Sequence, residues 1–120
     1  MFLHGLRNDT MTNVVLSLEA EIDLVRIGDY IARQSGGSKA ALNTLRKIKT
    51  RIDELKGFPL IGTPLSAVVS VDTDYRFFGC GNYLAFYRCE NDNVFVDRIL
   101  HGRQDYINIL LGDVQGDFDG

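Results

Sequence analysis

An α+β fold is predicted, with an N-terminal strand and a helical hairpin packed on an antiparallel sheet in the order β-α-α-β-β-β. Three observations predict it. Two segments with helical apolar spacing are separated by only three residues, 35–37. Three strand-like runs follow, joined by turns of two residues each. A short β-branched run precedes the helices. Helices segregated from a run of hairpin strands are the pattern of this class.

The elements follow in order. Residues 12–18, TNVVLSL, read as a strand. Ser17 can cap the next helix, with Glu19 and Glu21 in a first turn whose dipole favours carboxylates. Ala20, Leu24, Ile27 and Ile31 form one helical face. The pattern fails at SGG, 35–37, and Ser38 is expected to cap a second helix. Its face is Ala41, Leu45, Ile48, Ile52 and Leu55, the clearest periodicity in the chain. Gly57 closes it and Pro59 prevents a restart. The connector 60–74 carries no assignment for 65–71. Then come YRFFGC (75–80), YLAFYRCE (83–90) and VFVDRILH (94–101), with two-residue hairpin turns at Gly81-Asn82 and Asn91-Asp92. Residues 103–112 read as a final helical turn or a returning strand. The organisation is a flexible leader (1–11, with Met11 a second possible start), a domain (12–112) and an acidic flexible tail (113–120).

Composition narrows the classes. The chain has 120 residues, 45% hydrophobic and 24% charged, which suits one ordinary globular domain. No apolar run approaches the roughly 18 residues of a membrane span, so no membrane partner and a cytoplasmic location are expected. Cys80 and Cys89 lie on adjacent strands about 20 Å apart at roughly 3.3 Å per residue, so they are expected as buried free thiols. No His/Cys spacing suggests zinc, and no metal or cofactor is expected. The net charge is −3, yet residues 39–56 hold six cations against two carboxylates, a net of +4. Lys47 and Lys49 on that helix are candidate phosphate contacts.

Two-residue turns fix the register. They place Arg76 opposite Tyr87, Phe78 opposite Ala85, Tyr87 opposite Val96 and Ala85 opposite Arg98. One face then carries Arg76, Tyr83, Tyr87 and Arg98 among Phe78, Cys80, Val96 and Leu100. The other carries Phe77, Leu84, Phe86, Phe95 and Ile99 with Arg88 and Asp97. The second, richer in large apolar groups, is expected to receive the helices. The first is left as a site for a phosphate chain, with Tyr83 and Tyr87 stacking bases.

LSLEAEIDLVRIGDYI, LKGFPLIGTPL, DYRFFGCGNYLAFYR and VDRILHGRQDY, taken in order over about 14–110, resemble the RelE/ParE superfamily of toxins from type II toxin–antitoxin pairs, also known as plasmid stabilisation proteins. The resemblance implies a microbial-RNase-like fold, a bacterial source and a cognate antitoxin partner. RelE-like members cut mRNA on the ribosome without a metal. ParE-like members poison DNA gyrase. The cutting branch's catalytic groups carry over to Arg76, to Arg98 or His101, and to Tyr106, with Arg103 beside them as an RNA contact.

Metal-free RNA cleavage needs a base for the 2′-OH, cations for the five-coordinate phosphate and an acid for the leaving oxygen. Arginine forks suit the phosphate, and a histidine serves as acid or base near neutral pH. Arg76, Arg98 and His101 therefore favour translation inhibition by an endoribonuclease. The alternatives are a gyrase-binding toxin, using the helical hairpin as its surface, and a non-toxic relative that only binds antitoxin.

Overall fold

The structure is a computed structural model that describes residues 12–34 and 37–119, with the backbone alone from 113 onward. The expected leader lies outside the described residues. In chain order the elements are β1 (Asn13–Leu16), α1 (Leu18–Gln34), α2 (Gly37–Asp53), a 3-10 turn (Glu54–Lys56), β2 (Thr63–Pro64), a second 3-10 turn (Leu65–Ala67), β3 (Arg76–Cys80), β4 (Tyr83–Glu90), β5 (Asn93–His101) and α3 (Tyr106–Asp119). The expected order holds, and β2 and α3 complete it. The sheet runs β1-β5-β4-β3-β2, antiparallel except where β1 lies parallel to β5. A helical hairpin supplies the crossover that a parallel pair requires.

Ser17 caps α1 as expected: its Oγ accepts the Ala20 amide at 3.0 Å. The same hydroxyl donates to the Asp97 carbonyl at 2.8 Å, tying the start of α1 to β5. α2 begins at Gly37, one residue ahead of the expected cap Ser38, and the Gly37 φ of 70° is one that glycine accepts without strain. Both helical stripes turn inward, with Ala20, Ile27, Ala41, Ile48, Ile52 and Leu55 buried. The segment 103–112, open between helix and strand, turns at 103–105 and from Tyr106 forms the start of α3. The backbone of 113–119, expected as a tail, is helical again beyond a kink at Leu111, whose φ of −125° and ψ of 21° are not helical.

Two expectations about the sheet are corrected. The pairs Arg76–Tyr87, Phe78–Ala85 and Tyr87–Val96 hold, but Ala85 lies opposite Ile99, not Arg98. A bulge leaves Asp97 without a partner between Val96–Tyr87 and Arg98–Phe86. An extra residue on one strand moves everything beyond it to the other face. Second, the helices cover the face of Phe78, Tyr87 and Val96, which was expected to be open, and the bulge brings Ile99 onto it opposite Ala85. Tyr87 can be buried there because its hydroxyl accepts the Gly62 amide at 2.8 Å. The face of Phe86 and Leu100 is covered instead by Leu65, Val69 and Tyr75 of the connector and by Tyr106, Ile107 and Leu110 of α3. Both faces are therefore packed. Cys80 is half-buried and Cys89 exposed, both as free thiols, so the expected burial fails for Cys89, near the end of β4.

A Cβ on Gly62 would lie 2.6 Å from Tyr87 Oη and 2.8 Å from the Phe77 carbonyl oxygen. Gly62→Ala is expected to cost about 1–3 kcal/mol by overpacking. Tyr87→Phe is expected to cost about 1–3 kcal/mol by leaving the buried amide unpaired. Urea unfolding measures both, and unchanged midpoints would contradict the tie.

Candidate functional site

Beyond Val96, β5 runs on without β1 at its side, and the groups along this edge are met by side chains. Ser17 meets the Asp97 carbonyl, Asp23 Oδ2 accepts the Ile99 amide at 2.9 Å, and Gln104 Oε1 accepts the His101 amide at 2.7 Å. Asp23 is only 5% exposed. It also receives both arms of Arg98, from Nε at 2.8 Å and from a terminal nitrogen at 2.9 Å. A bidentate fork on a buried carboxylate is among the stronger polar contacts in a protein. That hydrogen bond raises the Arg98 guanidinium's affinity for its proton. Arg98 starts in register on the Phe86 side and reaches round the strand edge to α1.

The last rung pairs Tyr83 with His101 on the helix side, their rings 5.4 Å apart and edge to face. His101 Nδ1 accepts the Arg103 amide at 3.1 Å, so the ring proton belongs on Nε2. Across from these, α1 contributes Arg26 and Tyr30, which lie on one side at helical spacing. Between the two walls is a groove of about 440 Å³, with Arg103 at its rim and the Asp23–Arg98 pair at one end. A second hollow of about 450 Å³ shares Tyr30, Tyr83 and His101 and extends to Lys47. Burial, aided by the nearby Tyr30 phenol, pushes the Tyr83 pKa up.

The expected site residues converge only in part. Tyr83, His101, Arg103 and Arg98 share the groove, although Arg98 has its fork on Asp23. Lys47 borders the second hollow, while Lys49 is exposed on α2 away from both. Arg76 lies in the Tyr87–Val96 row, four residues along β3 from the Cys80–Tyr83–His101 row. That is about 13 Å at 3.3 Å per residue. Its guanidinium donates to the Gly62 carbonyl at 2.8 Å and the Leu60 carbonyl at 3.3 Å, which fixes the loop before β2. Tyr87 is wholly buried and offers no stacking surface. Tyr106 packs on Phe86 across the sheet from His101, with ring centroids 5.2 Å apart. Sequence reasoning missed Asp23, Arg26 and Tyr30. Asp23 could have been found, because it is a carboxylate placed between Ala20 and Ile27 on the apolar stripe.

The far side of the bulge holds a second polar cluster. Asp97 Oδ2 accepts the Tyr75 hydroxyl and Arg88 Nε, each at 2.9 Å. Arg88 also lies over the Phe95 ring, 4.8 Å from its centroid. Burial, then the Asp97 hydrogen bond, pushes the Tyr75 pKa up to about 12. Among the described residues no group of three His, Cys, Asp or Glu side chains could hold a metal ion, and no helix is long and apolar enough to cross a membrane.

Comparison with known proteins gives a family. The model of the ParE toxin of type II toxin–antitoxin system, parDE, matches residues 14–106. The chain is similar in fold to a structure of the chromosomal ParDE system from P. aeruginosa, with a TM-score of 0.65, 19% identity and 77% of this chain against 97% of that one covered. It is also similar to a chain of the RelBE2 toxin–antitoxin complex from Mycobacterium tuberculosis, with a TM-score of 0.55, 19% identity and 77% against 92% covered. No curated protein sequence matches.

Tyr75 should deprotonate late. Its folded pKa lies above the unfolded value of 10.0, so the stability it contributes is present below pH 10 and lost as pH rises through about 12. In a spectrophotometric titration, Asp97→Asn should bring the phenolate transition of Tyr75 down toward the ordinary value. A Tyr75 transition at the ordinary value in the unaltered chain would contradict the assignment.

Proposed function

The chain belongs to the ParE toxin family of type II toxin–antitoxin systems, and on that premise we propose that it is a toxin neutralised by a cognate antitoxin which acts by docking on a protein target. DNA gyrase is the target that the resemblance implies for ParE-like members. The observation that carries this reading is the engagement of the arginines. Arg98 is held bidentately by Asp23, and Arg76 by two loop carbonyls on another row of the sheet. Tyr106 is on the opposite face. Phosphoryl chemistry without a metal needs cations, base and acid around one phosphorus. These residues are arranged instead as ties of the fold. A docking toxin needs only surface, and Lys47 and Lys49 on exposed turns of α2 belong to it. Arg51 is less available, since it bonds the Gly79 carbonyl at 2.8 Å and lies over the Phe78 ring.

Ribosome-dependent mRNA cleavage is the competing reading. It would have to draw on Tyr83, His101 and Arg103, the expected residues that share a groove without being tied to a carboxylate. Two purified reactions separate the two. Docking on gyrase is expected to stop supercoiling while translation proceeds with intact mRNA. Arrested translation with mRNA cut at the ribosome, relieved by His101→Gln, would overturn the proposal. A folded chain that leaves both reactions untouched would point to a relative that only binds antitoxin.

A further inference from the structure

We infer that the groove between α1 and the end of β5 binds a nucleotide, with its base against the rings of Tyr30, Tyr83 and His101 and its phosphate between Arg26 and Arg103. The inference does not depend on which target the toxin poisons. The groove's volume of about 440 Å³ is of the size that encloses one small ligand. Its chemistry is divided. The aromatic part is already preorganised: Tyr83 and His101 stand edge to face at 5.4 Å, and His101 is fixed at both its amide and Nδ1. Tyr30 is 58% exposed, so a planar ring placed there covers apolar surface that α1 otherwise gives to water. With Nδ1 taken by the Arg103 amide, His101 has its Nε2–H left to donate to an acceptor on a base or ribose.

The cationic part is free in a way that Arg98 is not. Arg26 and Arg103 are exposed and make no ion pair among the described residues, whereas Asp23 neutralises Arg98 beside them. Two guanidinium forks that line one groove and have no ion-pair partner among the described residues suit a phosphate. The chain carries a net charge of −3, so the attraction is local to this rim and not a general affinity for polyanions. Stacking on tyrosine tolerates any base, because every base has a π-face.

The nucleotide could be free or part of a single strand. The second hollow shares the three rings and ends at Lys47, so it could take the next nucleotide of a strand. The chain has no tryptophan, and tyrosine fluorescence with calorimetry can follow binding directly. The probes are AMP, ATP, ribose 5-phosphate, inorganic phosphate and a short oligouridylate. Saturable AMP binding is expected, with ribose 5-phosphate weaker by about tenfold for want of a base. Tyr30→Ala, an exposed position that should not disturb folding, is expected to weaken AMP by about tenfold. Arg26→Ala with Arg103→Ala should weaken it by at least about tenfold. Oligouridylate no tighter than AMP would identify a free nucleotide, and tighter binding that grows with length would identify a strand. The inference is overturned if neither AMP, ATP nor oligouridylate saturates, if phosphate alone binds as well as AMP, or if the folded variants bind like the unaltered chain. None of those results would affect the supercoiling test of the toxin reading.

Discussion

The edge of β5 that β1 leaves uncovered constrains the rest of the molecule. β1 pairs with β5 only from Asn93 to Val96, then turns at Ser17 into α1. A bare strand edge invites another chain to pair with it. Here the edge is occupied from within, by the Ser17 hydroxyl, the Asp23 carboxylate and the Gln104 side chain. Asp23 is the centre of this arrangement. A carboxylate only 5% exposed must be neutralised and hydrogen-bonded to be tolerated. The Ile99 amide and the Arg98 fork do both.

The bulge at Asp97 belongs to the same arrangement. It directs the Asp97 side chain to Tyr75 and Arg88 on one face and lets Ile99 enter the core on the other. It also returns His101 to the rung opposite Tyr83, on the helix side. Arg98 and His101 both lie beyond the bulge, and their three-residue separation puts them on opposite faces of the strand. The charges near the strand end divide into two kinds. Arg98, Arg88 and Arg76 are bound into the fold, while Arg26 and Arg103 face open space. A family likeness that matches positions alone does not distinguish the kinds, because the difference lies in what each guanidinium touches.

Much of the fold was legible in the chain. Ala41, Leu45, Ile48, Ile52 and Leu55 announce a helix because an inward stripe leaves a period. Gly81 and Asn91 announce hairpins because both carry the positive φ that a tight turn demands. The bulge was not legible. It is decided where β1 ends and by what Asp23 requires, across a sequence separation of 76 residues. The choice of face was misread for a related reason. Counting phenylalanines took no account of the Tyr87–Gly62 hydrogen bond, which makes the tyrosine face buriable, or of α3, whose Tyr106 and Leu110 cover the other face. The candidate groove was half visible. Tyr83, His101 and Arg103 stood out near the hairpin ends, but Arg26 and Tyr30 were not singled out, because both lie off the apolar stripe of α1 and only the opposing wall makes a groove of them.

The central claim is that Arg98 serves the fold through Asp23. A double-mutant cycle tests it most directly, with unfolding free energies for Asp23→Ala, Arg98→Ala and the pair. Removing one partner of a largely buried ion pair should cost about 3 kcal/mol. Removing the second should cost little more, so the cycle is expected to show a coupling of about 2 kcal/mol. Additive effects, with no coupling beyond measurement error, would contradict the account and return Arg98 to the set of arginines available to a phosphate.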